Sequence, residues 1–349
     1  MGELDVLRAQ LWPVLPASEG PYFGVPKGET LRWILPNDRR ASAAALAGWR
    51  PYSPASRLKF AAFKAMLAIL GPQHVPKVLA LGAPEGGGAL AGVPVVYIGT
   101  PGPERKAVIH LVERGAVTAI AKLALAPGAR AALAAEAAML KRLERELPDL
   151  AAPRLLRRDA ERGLTLQSVL PGRPCGRAFT TAHAEYLLRL CRPGQCDLAA
   201  AAEPIRAFWA DAAGGPPPAL LARWAQAGQG GMPRLWLHGD FAPWNLRRQG
   251  EEIAAYDWEA GQAEGLPLQD IAHFFTIQAQ LFAESRRPLA AMRANRAVGR
   301  YLERLDLDWA QGQWLFAYHC LWAARAARGR GDVDAADFLL TQFSREMAA

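Results

Sequence analysis

His238, Asp240 and Asn245 stand in the run LWLHGDFAPWN of this 349-residue chain, in the spacing H-x-D-x-x-x-x-N. A second pair of carboxylates, Asp257 and Glu259, closes the run EEIAAYDWE. A carboxylate can take a proton from a hydroxyl, and amide and carboxylate oxygens suit a hard divalent cation. The elements that must position these groups are legible nearby. Leu235, Trp236 and Leu237 read as a short buried strand, and Pro243 biases Ala242 away from helix, so a loop follows. Gln249-Gly250 is a turn, and the run Ile253 to Tyr256 delivers Asp257 to the end of a second strand. Strands that return on themselves would bring Asn245 and Asp257 together, as one shared cation requires. Each residue alone is commonplace: a lone Asp is usually a turn or a cap, and an Asp-x-Glu pair a solvated strand end. The ordered set is hard to obtain by chance.

The first spacing is that of a protein-kinase catalytic loop, where the Asp takes the substrate hydroxyl proton and the Asn holds a magnesium ion. Asp257 falls where a kinase keeps its other metal-binding Asp. HGDFAPWN followed by YDWE resembles the signature of the aminoglycoside phosphotransferase and choline kinase family, the small-molecule branch of that fold. The likeness continues through Pro267, Asp270 and the helix-like run Ile271 to Phe275. Gly239 replaces the Arg of H-R-D and Glu259 the Gly of D-F-G, both usual in that family. The resemblance implies an α+β, two-lobed protein-kinase-like fold, with a small antiparallel β-sheet lobe, a larger mainly helical lobe and, here, an N-terminal extension.

Composition bounds the rest. The chain is 51% hydrophobic and 21% charged, long enough for two lobes and a sizeable core. No apolar run reaches the length of a membrane span, and the N-terminus MGELDVLRAQLW is no signal peptide, so a cytoplasmic protein is expected. Cys175, Cys191, Cys196 and Cys320 lack zinc-site spacing and read as reduced thiols. The net charge of +8 is uneven. Residues 173–349 hold 19 basic and 19 acidic residues, whereas residues 1–172 hold 22 and 14. The basic residues are scattered and no reader motif accompanies them, so no nucleic-acid partner is expected. A nucleotide-facing lobe, an anionic partner or a membrane surface explains the excess equally well.

Three regions follow in order: an extension over 1–90 packing on the small lobe, a nucleotide-binding small lobe over 91–172, and a catalytic and acceptor-binding helical lobe over 173–349. In the extension, Gly20 to Gly28 reads as turn-rich and Leu31 to Leu35 as a strand stopped by Pro36-Asn37-Asp38. Ser53-Pro54 reads as a cap with Pro at the first helical position. It opens a helix through Leu70 whose buried face is expected to be Leu58, Ala61, Ala62, Ala65, Met66 and Ile69. The segment reads as a packing appendage or as a docking surface for a protein or for acidic lipid headgroups. After the Gly-rich piece from Gly82 to Gly92, strands are expected over Val93–Gly99, Lys106–Val112 and Val117–Leu125. The first hairpin would cover nucleotide phosphates, although with Gly99 and Gly102 alone its glycine signal is thin.

Arg outnumbers Lys 34 to 7, so the lone Lys122 inside the apolar strand VTAIAKLAL suggests that an ammonium is needed there. A solvent-facing edge lysine is the alternative. Glu136, amid Ala and Leu on a helix from about Arg130 to Leu147, is placed to pair with Lys122 as the corresponding kinase Glu does. Leu164 to Leu170 runs as a strand into Pro171-Gly172 and resembles the family's hinge, in which the backbone of Gln167, Ser168, Val169 and Leu170 would meet the nucleotide base. Helices are expected over 180–191, 198–212, 217–228, 268–284, 288–304, 309–328 and 332–346, with Trp209, Trp224, Trp309, Trp314 and Trp322 packing among them.

What the resemblance implies for mechanism is then specific. Lys122, fixed by Glu136, holds the phosphates of ATP or GTP. Asn245 and Asp257, with Glu259 ranked below them, hold Mg²⁺. Asp240 faces the hydroxyl of a small-molecule acceptor, while His238 and Asp270 support the loop. A polycationic acceptor would call for surplus acids, and the neutral helical region, with Arg286, Arg287, Arg293, Arg296 and Arg300, shows none. A sugar or related alcohol fits better than an aminoglycoside or a choline-type amino alcohol. Two readings of other classes stay open: a non-catalytic nucleotide-binding interaction protein, and a metal-dependent phosphoesterase that would need neither Lys122 nor a hinge.

Overall fold

Period-two burial along residues 106–111 marks a strand of the sheet that carries the lysines. The computed structural model describes residues 3–18, 20–84, 88, 90–282 and 287–348. By its contacts the chain divides into two units. One comprises Met1–Gly176 with Arg247–Gln249 and Ala254–Glu259, and the other comprises Arg177–Leu246, Gly250–Ile253 and Ala260–Ala349.

The first unit runs α1 (Glu3–Leu11), β1 (Tyr22–Lys27), β2 (Thr30–Pro36), α2 (Arg39–Ala47), α3 (Pro54–Leu70), β3 (Leu79–Gly82), β4 (Val93–Ile98), β5 (Lys106–Glu113), β6 (Ala116–Ala124), α4 (Pro127–Glu146), β7 (Leu155–Asp159), β8 (Leu164–Ser168) and β9 (Arg173–Pro174). Eight of these strands form one sheet in the order β3-β1-β2-β4-β5-β6-β8-β7, and all seven neighbouring pairs are antiparallel. Residues 1–90 thus supply three strands to the same sheet as the lysines. One face packs on α1 through Leu7, Leu11, Ile34, Ile98, Ile109 and Leu123. The other packs on α2 and α3 through Leu35, Ala45, Leu46, Leu67, Val95 and Val112.

Two expectations for the N-terminal region need correction, and two helices there were missed. The stretch from Gly20 to Gly28 is mostly strand β1, because Tyr22, Phe23 and Val25 are buried in the sheet and Pro26 sits at a register shift that spares its missing N–H. Helices α1 and α2 were not anticipated; α2 is capped by Asp38, whose side chain accepts from Arg40 N at 2.8 Å and Ala41 N at 3.0 Å. The start of α3 is as read, with Ser53 Oγ accepting from Ser56 N at 3.1 Å and Pro54 at the first position. Its buried face is the opposite one. Leu67, Phe60 and Phe63 pack inward, while Leu58 is 74% and Ile69 69% exposed and Ala61, Ala62 and Ala65 face solvent. Met66 lies half-buried at the boundary. The helix carries two apolar stripes, and two phenylalanines offer more area to bury than a stripe of alanines.

The second unit holds α5 (Thr181–Leu188), β10 (Cys191–Asp197), α6 (Leu198–Asp211), α7 (Pro218–Ala227) and β11 (Gly231–Leu237). After β12 (Leu246–Gln249) and β13 (Glu252–Ala255), which run through the segments shared out between the units, it continues with β14 (Gln262–Gly265), α8 (Gln269–Phe282), α9 (Pro288–Arg293), α10 (Arg296–Arg304), α11 (Trp309–Gly329) and α12 (Val333–Ala348). Strand β11 lies between β10 and β14. The helix expected over 288–304 is broken, because the Asn295 side chain accepts from Ala297 N and Val298 N and starts α10 afresh. Residues 283–286, which include Arg286 and the end of the helix expected to 284, lie outside the described residues. Trp224 and Trp314 stack 5.2 Å apart, each indole N–H donating to the other residue's carbonyl, and tie α7 to α11.

Candidate active site

In the first unit, sheet register decides which side chains can meet. Lys122 on β6 lies opposite Val108, and Lys106 on β5 lies opposite Ala124. Lys106 and Lys122 are therefore diagonal neighbours on one face, while Ala107, Ile109, Ala121 and Leu123 point to the other. Lys122 Nζ donates to Glu136 Oε1 of α4 at 2.6 Å and to Asp257 Oδ1 at 2.8 Å. Lys106 Nζ donates to Asp257 Oδ1 at 2.9 Å and to Glu259 Oε2 at 2.5 Å. Two ammonium groups thus meet three carboxylates.

The segment bearing Asp257 and Glu259 is seated by backbone. Arg247 and Arg248 of β12 pair with Pro174 and Arg173 of β9, and Ala255 N donates to Ala151 O at 3.1 Å. Gly172 permits this: its φ is +98°, and a Cβ there would stand 2.6 Å from Arg248 O. Asp257 itself has φ +69°, an uncommon conformation for a residue other than glycine and one that recurs at functional sites.

Burial opposes charge on all four groups that shift, and the partners settle the outcome. For Lys122 burial pulls the pKa down, but Asp257 and Glu136 outweigh it and hold the ammonium well above its usual range. Lys106 is likewise raised, burial being overcome chiefly by Asp257. Burial would raise Asp257, yet Lys122 and Lys106 drive it far below the usual carboxylate range. Glu259 goes up, because burial and the neighbouring Asp257 charge exceed the help from Lys106. Glu136 is fully buried, and its Oε2 has no hydrogen-bond partner among the described residues. On β8, Gln167 is buried with its Nε2 likewise unpartnered, while Ser168 Oγ accepts from Arg154 N; Val169 and Leu170 follow, half-buried, beyond the strand.

In the second unit the loop after β11 is held from below. Asp270, near the start of α8, accepts from His238 N at 2.8 Å and Gly239 N at 2.9 Å. Its pKa is raised because burial outweighs His238 and these two N–H groups. Gly239 turns the chain at φ +82°, and a Cβ there would stand 2.3 Å from Ala260 O, so the arginine of a protein kinase has no room in this loop. The fully buried His238 accepts from Asp240 N through Nδ1 at 3.3 Å. A single 3-10 turn, Pro243–Asn245, then brings Asn245 back. Its Nδ2 donates to Asp240 Oδ2 at 2.8 Å and to Asp240 O at 2.9 Å.

The other oxygen of Asp240 meets a residue that the sequence reading left without a role. His273 Nε2 lies 2.9 Å from Asp240 Oδ1. His273 follows Asp270 by three residues on α8, the spacing that puts both on one helix face, and that spacing was the signal available. Lys106 was also missed. The scarcity of lysine that marks Lys122 marks Lys106 equally, in the neighbouring strand KAVIHLVE.

Among the described residues no group of three or more His, Cys, Asp or Glu is arranged to hold a metal ion. The expected donors are nevertheless of the right kind. Asp257, Glu259 and Asn245 offer hard oxygens, which suit Mg²⁺. The ammonium of Lys106 already bridges Asp257 and Glu259 as a small cation would. The four cysteines are free, and no helix among the described residues is long and apolar enough to cross a membrane.

Residues 105–315 match the phosphotransferase enzyme family, APH. The chain belongs to this family. With membership come the reaction class, phosphoryl transfer to a hydroxyl group of a small molecule, and the α+β kinase-like fold class expected from the sequence. No curated protein matches the chain. Solved structures do. Macrolide 2'-phosphotransferase MphH from Brachybacterium faecium is 17% identical, with 71% of this chain and 91% of that one covered at a TM-score of 0.48. A thermostable mutant of aminoglycoside phosphotransferase APH(4)-Ia is 15% identical, with coverages of 72% and 94% and a TM-score of 0.48. A choline/ethanolamine kinase family protein from Mesorhizobium loti is 16% identical, with 72% and 87% covered and a TM-score of 0.42. Residues 1–104 lie outside the family match.

Proposed function

We propose that this phosphotransferase moves the γ-phosphoryl group of ATP or GTP to a hydroxyl of a neutral or anionic small molecule, a sugar or related alcohol. The observation that carries the reading is the pairing of Lys122 with both Glu136 and Asp257. A lysine locked between a buried glutamate and the carboxylate of the DxE pair supports a nucleotide site, because it places a fixed positive charge for the phosphates beside a metal-binding carboxylate.

Lys122 orients the phosphates, and Glu136 keeps its ammonium in place. Gln167, Ser168, Val169 and Leu170 meet the base through their backbone. Asn245, Asp257 and Glu259 would hold Mg²⁺, which supplies positive charge against the phosphates when bound. Asp240 orients the acceptor hydroxyl and takes its proton as the acceptor oxygen bonds to the γ-phosphorus and the bond to the nucleoside diphosphate breaks. Asn245 and His273 hold the two carboxylate oxygens of Asp240, and His238 and Asp270 fix its loop. The acceptor class rests on charge: residues 173–349 hold equal numbers of acids and bases, without the surplus of carboxylates a polycation would call for.

Two measurements test this reading. ATP or GTP with Mg²⁺ should raise the Tm by mass action, by about 2.7 kcal/mol of stabilisation at a hundred times the Kd. Lys122→Ala should weaken that shift. No shift at millimolar nucleotide would sink the nucleotide site. A screen of sugars, sugar phosphates, amino alcohols and aminoglycosides for nucleotide consumption then tests the acceptor, and turnover confined to the polycations would overturn its assignment.

A further inference from the structure

The outward stripe of α3 is apolar at its centre and cationic at both margins. At about 100° per residue, Leu58, Ala61, Ala62, Ala65 and Ile69 lie along one line of the helix. Lys59 stands at one margin, and Arg57 and Lys64 at the other. Phe60, Phe63 and Leu67 occupy the opposite side, packed on the sheet. Leu58 and Ile69 are 74% and 69% exposed, three turns apart on a helix that needs neither of them for its core contacts. Arg39 adds a charge at the C-terminal end, donating to Ile69 O at 2.8 Å and Leu70 O at 3.2 Å. From Arg39 to Pro84 the chain has seven Lys or Arg and not one Asp or Glu. Among the described residues none of Arg39, Arg57, Lys59 and Lys64 is paired with a carboxylate.

We propose that this stripe docks on the surface of an anionic phospholipid bilayer. The charge pattern selects the occupant. An apolar line flanked by long cationic side chains is the arrangement of a helix lying in a membrane interface, where the ammonium and guanidinium groups reach the phosphates while the centre enters the acyl boundary. A second copy would set one acid-free cationic face against another, and like charges would repel. Leu58 and Ile69 project from the stripe with alanines between them, a shape to which a bilayer conforms. The helix lies outside residues 105–315, so docking is separable from phosphoryl transfer.

The test is sedimentation of the full chain with vesicles of phosphatidylcholine alone or mixed in equal parts with phosphatidylglycerol. The chain should sediment with the mixed vesicles only, and the bound fraction should fall as salt is raised. Lys59→Gln with Lys64→Gln should lower partitioning by about 30-fold, the worth of two charges near an anionic surface. Leu58→Ser with Ile69→Ser should lower it by at least about tenfold. All four positions are exposed, so far-UV circular dichroism and Tm should match the parent; if the apolar pair fails to fold, the charge pair decides alone. Absence of binding to the mixed vesicles at low salt overturns the proposal, as does binding that the charge pair leaves unchanged. A dimer that the Leu58→Ser, Ile69→Ser variant dissociates, with no vesicle binding by the parent, would also overturn it and assign the stripe to self-association.

Discussion

The two carboxylate clusters of this protein solve opposite problems. In the first unit Asp257, Glu259 and Glu136 face Lys106 and Lys122 at 2.5 to 2.9 Å, opposite charges packed together and largely buried. In the second, Asp240 receives an amide N–H from Asn245 and lies against an imidazole nitrogen of His273, with its side chain 39% exposed. In the first cluster charge is neutralised by charge. The Asp240 carboxylate instead has an amide and an imidazole for neighbours and no ammonium among its hydrogen-bond partners in the described residues. The difference teaches that stability and turnover should respond to different substitutions.

The largest effect expected is on the rate. Asp240→Asn should cut kcat by about 10²–10⁴-fold, the worth of a positioned acid–base group. Its Tm and Mg-nucleotide affinity should stay near the parent's. A comparable fall in nucleotide affinity would erase the distinction between the clusters. Next comes Lys122→Ala, which strands Glu136 in the interior; breaking a buried pair from one side costs about 3–5 kcal/mol. Denaturant unfolding measures this, and a cost below about 1 kcal/mol would mean that the cluster does not hold the first unit together.

Asp270→Ala should be comparable, about 1–3 kcal/mol for each of the two backbone N–H groups left without an acceptor. It should lower Tm and kcat together, because the loop carrying Asp240 loosens. The smallest effect is a pH signature, read in chelator. Asp257 has a depressed pKa, so its contribution to stability is present above its unfolded value of 3.8 and is lost as pH falls through the folded value below it. The stability gap between parent and Asp257→Asn should therefore be flat from about pH 5 to 8 and narrow below about pH 4. A gap that widens in acid would show that Lys122 and Lys106 do not hold that carboxylate ionised.

The sequence made the loop residues legible because their order is nearly fixed by local chemistry. Pro243 and Gly239 enforce turns, and His238, Asp240 and Asn245 fall within eight residues, so no long-range information was needed to group them. Lys122 and Glu136 were legible for a similar reason, one strand and one helix apart. His273 and Lys106 escaped because their roles depend on register. A helical histidine amid Ala and Phe reads as core, and nothing local says that Lys106 will lie diagonal to Lys122. The inward face of α3 was misread because two apolar stripes share the helix, and the choice between them belongs to the sheet beneath. Strand β1 was misread because Gly20, Gly24, Pro26 and Gly28 signal turns, and pairing with β2 and β3 overrides them.

The carboxylates that complete the lysine cluster arrive late in the chain. Lys106, Lys122 and Glu136 are all made before Gly176, yet Asp257 and Glu259 follow only after nearly half of the second unit has been made. At about 5–20 residues per second, a ribosome spends roughly 4–16 seconds between these points. During that interval the nascent sheet holds two ammonium groups and a single acid where three carboxylates will later meet them. The first unit is N-terminal, but it cannot mature first. Its completion waits on a segment translated inside its neighbour, so a chain cut at residue 176, with both hydrophobic cores but without Asp257 and Glu259, should unfold at lower denaturant than the intact protein.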